Sequence, residues 1–184
     1  MPFAVNDFVA TLKLDGARTN YFEVHVTNPV SSVADNILPI LCRAAALPES
    51  NINVIRLPYA GRSLTFAGVR PPLQDWTITV INDEGFEIRN ALETWHNYIN
   101  SMRTNLRKFN TAAPSEYKSV ATVSQYSKTG EVIRVYQMLG LWPSAISSIR
   151  VSYDEDAIQN FDVTFSYDWY EVVDGITGNG GGAS

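Results

Sequence analysis

Alternation dominates the chain from residue 117 onward. In residues 158–170, Phe161, Val163, Phe165, Tyr167 and Trp169 alternate with Asn160, Asp162, Thr164, Ser166 and Asp168. One face of such a strand is apolar and largely aromatic, the other wholly polar. Residues 117–127, 131–139 and 147–153 read as three further strands; SKTG and DEDA supply polar turns and GLWPS interrupts the middle of the run. Upstream, residues 75–81 (DWTITVI) predict a strand with Trp76, Ile78 and Val80 facing inward. In residues 21–27, Phe22, Val24 and Val26 oppose Glu23, His25 and Thr27, a half-buried strand. The apolar run 37–47 predicts another strand, ending at Pro48.

A different period takes over after residue 82. Ile88, Leu92, Trp95, Ile99, Met102, Leu106 and Phe109 recur at steps of three and four, which puts them on one stripe of a helix. Asn82 and Asp83 provide N-capping chemistry, and Arg103, Arg107 and Lys108 suit the negative end of the helix dipole. The pattern therefore predicts a single long helix over residues 83–109, covering a sheet, with Arg89, Glu93, Asn97 and Asn100 toward solvent. Residues 48–72 predict a hairpin or extended loop whose tip, RLPYAGRS, turns at Pro58 and Gly61. Leu57 and Tyr59 at that tip are costly to leave in water unless a partner covers them or the tip folds back on its own domain. Residues 1–20, with Phe3, Val5, Phe8 and Val9 broken by Asp15, Gly16 and Arg18, read as an arm. Residues 21–172 form one domain, and residues 173–184 end in a Gly-rich tail expected to be flexible.

Composition narrows the chemistry. Hydrophobic residues are 45% and aromatics 11% of 184 residues, enough for a real core in one domain. The net charge of −5 speaks against a protein that grips phosphates, and it suits a surface past which nucleic acid slides. With Cys42 as the single cysteine there is neither an intrachain disulfide nor a cysteine-based zinc site, and its apolar setting predicts a buried, inert thiol. The first residues do not read as a secretory signal, and no window approaches the ~20 apolar residues of a membrane helix. The expectation is a soluble protein, without membrane anchor, made in a cytoplasm.

Catalytic residues are hard to find. His25 and His96 are the only histidines; one lies on a polar strand face, the other beside the helix stripe. Nothing in their spacing suggests convergence with carboxylates on a nucleophile or a metal. Asp154, Glu155 and Asp156 lack the glycine and the later glutamate of a calcium loop and read as a solvated turn. No cofactor is implied. What stands out is strand with a fully polar face and open edges, for residues 158–170 contain no Pro and no Lys to blunt pairing. A ring that joins its edges around a wet channel explains both features; so does a small monomeric sandwich or barrel. Pattern alone leaves the two open.

Five stretches carry a resemblance. CRAAALP at 42–48, DWTITVINDE at 75–84, PSEYKSVATVSQYSKTG at 114–130, GLWPS at 140–144 and IQNFDVTFSYDWYE at 158–171 occur in this order. Together they resemble the major tail tube proteins of T-even-type contractile-tailed bacteriophages over most of residues 20–171. The resemblance implies a mainly β fold: two antiparallel sheets in an Hcp-like barrel or sandwich, flanked by one long helix, with a stacking loop. It further implies hexameric rings stacked into a hollow tube inside a contractile sheath, meeting baseplate and terminator proteins. Viral DNA would pass through the lumen without sequence-specific binding, in a virion tail assembled in the host cytoplasm. The hairpin of residues 52–66 would correspond to the ring-stacking loop, making Arg56, Leu57, Tyr59 and Arg62 the candidate inter-ring contacts. Asp162 and Asp168 are the candidate channel lining. The same fold also serves the inner tubes of phage-derived injection machines, bacteriocin or type VI-like, and baseplate tube initiators.

Overall fold

A computed structural model describes residues 5–12, 16–107, 113–154 and 156–178. Among these residues nine strands and three α-helices follow in the order α1 (Val5–Thr11), β1 (Phe22–Val26), α2 (Leu38–Leu41), β2 (Cys42–Ala45), β3 (Val54–Tyr59), β4 (Arg62–Ala67), β5 (Trp76–Ile81), α3 (Glu87–Ile99), β6 (Ser119–Tyr126), β7 (Val132–Ile146), β8 (Asn160–Ser166) and β9 (Trp169–Asp174). All pairings are antiparallel. The main sheet runs β1-β6-β7-β8-β5-β2, with β9 also on β7; β3 and β4 pair only with each other.

The strand β7 makes this two sheets. Its first part pairs with β6 and β9, and its last part, from Trp142, pairs with β8. The alternation pattern predicts GLWPS as an interruption and residues 147–153 as a separate strand. Instead β7 passes through GLWPS, and residues 147–153 form no strand. Gly140 explains how: at φ 69 it adopts the left-handed region, so the strand turns a corner that a side chain would resist. A Cβ there would also strike the Asp168 carboxylate. Opposite this corner the predicted strand 158–170 breaks as well. β8 ends at Ser166, β9 begins at Trp169, and Asp168 N–H donates to Leu139 O at 2.9 Å. The sheets stay open at β1 and β2, giving a sandwich and not a closed barrel.

Both sheets and α3 share one core. Val24, Val26, Ala121, Val123, Met138 and Leu141 come from the first sheet; Trp76, Ile78, Val80, Phe161, Val163 and Phe165 from the second; Ile88, Ala91, Leu92 and Trp95 from the helix. The inward faces read from β1, β5 and β8 are those observed, except that Trp169, beyond the break, is half exposed. Two indoles in the core satisfy their N–H groups on backbone: Trp76 donates to Ala46 O at 2.8 Å and Trp95 to Tyr117 O at 2.9 Å.

Three further elements depart from expectation. The helix is shorter than its stripe: it starts at Glu87 and ends at Ile99. Before it, Asp83 accepts the N–H groups of Gly85 and Glu87, so the acid closes a turn outside the helix. Beyond it, Asn97 Oδ1 takes the N–H of Met102 and Asn100 donates to Asn105 Oδ1. The Asn97 side chain competes for backbone just past the helix end, and Met102 and Leu106 are exposed; Lys108 and Phe109 lie outside the described residues. In the run 37–47, a helical turn with Pro39 at its start precedes β2, which covers only Cys42–Ala45. The N-terminal segment contains the helix α1, with Val5, Phe8 and Val9 exposed. Phe3 and Asp15 are outside the described residues. At the other end, β9 reaches Asp174 and the Thr177 hydroxyl donates to Ile133 O at 2.9 Å, so residues 173–178 are held on β7; the rest of the Gly-rich tail is not described.

Candidate functional site

The hairpin β3–β4 projects without a covering element. Every residue of both strands is exposed. Its turn is Ala60-Gly61, both at positive φ (50 and 78), a two-residue connection whose twist matches paired strands. The turn is thus one step past Pro58, which sits within β3 opposite Ser63. This register sorts the side chains, because directly opposed residues of an antiparallel pair share a face. Ile55↔Phe66, Leu57↔Leu64 and Tyr59↔Arg62 form one face; Val54↔Ala67, Arg56↔Thr65 and Pro58↔Ser63 form the other.

Of the four candidate contact residues, Leu57, Tyr59 and Arg62 therefore lie together on the apolar face, and Arg56 lies on the opposite one. Ile55, Leu64 and Phe66 complete the apolar face and were not singled out from sequence. The signal was available: once Ala60-Gly61 is taken as the turn, simple alternation assigns each face. Six large apolar side chains of the hairpin are 45% to 71% exposed. An isolated two-stranded hairpin of this kind is marginal in water.

The second candidate surface is the outer face of β5 and β8. Thr79 Oγ1 donates to Asp162 Oδ1 at 2.7 Å, and Thr77 and Thr164 hydroxyls share a hydrogen bond of 3.1 Å. Their register makes Thr77, Thr79, Asp162 and Thr164 one contiguous polar patch. Asp168 is not part of that strand face. It lies at the β8–β9 corner, and both its oxygens accept from Lys118 Nζ at 2.7 Å.

The groups capable of chemistry are dispersed. His25 Nε2 lies 3.1 Å from Glu23 on the exposed side of β1. His96 Nε2 lies 2.9 Å from Pro143 O, where it fastens α3 to β7. Cys42 is partly exposed, less buried than expected, but desolvation pushes its thiol up to about 11. Burial likewise raises the Tyr167 phenol, whereas Tyr126 is raised first by donating its hydrogen bond to Glu23. Among the described residues no three His, Cys, Asp or Glu side chains gather as a metal site, and no helix is long and apolar enough to cross a membrane. Among the described residues two surfaces stand out, the exposed apolar hairpin face and the polar outer face of β5 and β8.

The sequence pattern of the phage tail tube protein family matches residues 4–173. The tail tube protein gp19 of Enterobacteria phage T4 is 30% identical over 159 residues, covering 85% of this chain and 92% of that protein. The chain belongs to the phage tail tube protein family. It is accordingly a structural component of a virion tail. The family match takes in α1 and ends within β9, so the N-terminal helix belongs to the common pattern. The tail tube fold extends to contractile injection systems. The tube-terminating cap of the anti-feeding prophage aligns with a TM-score of 0.61 at 17% identity, covering 85% of this chain and 90% of its own. A chain of the six-fold symmetrised anti-feeding prophage baseplate aligns at 0.62 with 9% identity, covering 88% and 97%.

Proposed function

We propose that this tail tube protein assembles as hexameric rings, and that the β3–β4 hairpin of one ring lays its apolar face on the next. The observation that carries this reading is the hairpin itself: Ile55, Leu57, Tyr59, Leu64 and Phe66 are displayed on one face with nothing over them. Covering a large apolar side chain stabilises by roughly 1.5–3 kcal/mol when it is fully exposed. With about half of each still in water, one hairpin supplies on the order of 4–8 kcal/mol gross. Association costs of about 4–15 kcal/mol consume that gain. A single subunit therefore docks weakly, whereas six hairpins acting together hold a ring. Arg62 sits at the edge of the apolar face, where it would pair with a partner's carboxylate; Arg56 would serve the opposite side.

The lumen is assigned to the Thr77, Thr79, Asp162 and Thr164 face. Hydroxyls and a carboxylate offer phosphates no cation, so DNA would pass without being held, in keeping with the net charge of −5. Asp168, neutralised by Lys118, would contribute little field to that channel. The subunit has no catalytic role; it meets the contractile sheath outside, the baseplate and terminator at its ends, and is put together in the host cytoplasm. Identity with a phage protein, at 30%, favours DNA as the cargo over the effectors of an injection machine.

The test is a double variant, Leu57→Asp with Tyr59→Asp. It should keep the circular dichroism and melting temperature of the parent, since neither residue is in the core, and lose tubes by electron microscopy. Tubes of unchanged length would remove the hairpin from the stacking contact.

A further inference from the structure

The helix α1 stands in the same position as the hairpin. Val5, Phe8, Val9 and Leu12 are spaced so as to share one stripe, and all four are 43% to 68% exposed. Leu12 prolongs the last turn, its N–H donating to Phe8 O at 3.0 Å. A helix of seven residues is marginal in water on its own hydrogen bonds. A two-stranded hairpin is equally marginal unless further strands or a helix pack against it. Each element shows one apolar face, and each lacks the second layer that would bury it.

The two match in size and in charge. α1 is about 10 Å long, and the hairpin face from Ile55 to Tyr59 runs about 14 Å, so the stripe can lie along the opposed strand pairs. Residues 52–70 hold Arg56, Arg62 and Arg70 and no carboxylate, whereas residues 1–12 hold Asp7 and neither lysine nor arginine. The last turn of α1 has no basic residue, and the last carbonyls of a helix have no donor within it. An arginine from outside suits that end. Arg62 stands at the tip of the hairpin's apolar face, and neither it nor Asp7 has an ion-pair partner among the described residues.

We propose that α1 of one subunit is the surface on which the β3–β4 hairpin of a second copy of this chain lands. The stripe lies along the hairpin's apolar face, and Arg62 closes on the carbonyl end of α1. Helix and hairpin then make a small two-layer unit from two chains, each element ordering the other. Because donor and receiver are different surfaces of one chain, the contact is head-to-tail, the type that continues as an open stack. It rests on the stacking role given to the hairpin above and names the surface that receives it.

Substitution and cross-linking test it together. Phe8→Asp with Val9→Asp should keep the parent's melting temperature, since neither residue is in the core, and should cut the assembled fraction in sedimentation about tenfold or more. Thr11 and Ser63 are exposed, stand off the two apolar faces, and lie beside the ends that the contact brings together. In assembled protein carrying both Thr11→Cys and Ser63→Cys, a short bismaleimide should link subunits into a ladder beyond the dimer. Neither single variant, each still holding Cys42, should give that ladder. Tubes that persist in the Phe8/Val9 variant while Leu57→Asp with Tyr59→Asp abolishes them would overturn this contact and leave the hairpin reading standing. So would assembled double variant that gives no ladder, for α1 would then meet another surface or another protein, or one cross-linked only within single chains. A Leu57/Tyr59 variant that still forms tubes sinks the stacking reading itself and this contact with it, as does a parent that assembles neither alone nor on baseplate.

Discussion

Trp76 and Phe165 sit with ring centroids 5.6 Å apart, and Phe165 also meets Trp95 at 6.5 Å. This aromatic trio joins the second sheet to α3, so cutting either Trp76 or Phe165 to Ala should cost about 3–5 kcal/mol in urea unfolding. A near-zero change would mean that the inward face of β5 or β8 is misassigned. The exposed pair Lys118–Asp168 is a contrast: Lys118→Ala should move stability by at most about 1 kcal/mol. Gly140→Ala should cost more than that pair, because it forces a left-handed residue and pushes into Asp168. Cys42 makes a pH prediction. With its folded value raised from 9.0 to about 11, the thiol stays protonated where the unfolded chain has ionised. That stabilisation is complete below pH 9 and is lost as pH climbs toward 11. Alkylation of the native protein at pH 8 should be slow, and rapid labelling there would refute the desolvated setting.

Elements show why some of the chain could be read in advance and some could not. β5 and β8 were legible because each buries one face and wets the other, and a strand's period of two writes that into the sequence. The end of α3 was not. Met102 and Leu106 keep the helical spacing after the helix has stopped, while the Asn97 side chain takes the Met102 N–H that a continuing helix would use. GLWPS was misread because Gly and Pro usually mark turns. Here Gly140 lets one strand bend from sheet to sheet and Pro143 is buried in it, its carbonyl beside His96. For the hairpin, alternation gave its existence but not the absence of anything above it. Exposure depends on where the rest of the fold lies, and no local pattern records that.

The whole molecule has more unpartnered apolar surface than a sandwich of this kind needs. The α1 residues Val5, Phe8 and Val9, the hairpin face, and Val151 and Tyr153 are all exposed. Such patches mark surfaces that other copies or partners cover. In the ring assembly proposed above, their separation along the chain would let one subunit touch several neighbours at once. The proposed closure of this tail tube protein into hollow six-fold rings is open to direct observation. Negative-stain electron microscopy of the purified chain, concentrated alone and with pre-formed baseplate, tests it most directly. Hollow rings or tubes with six-fold end views are expected in at least the templated sample. Compact single subunits in both would contradict it.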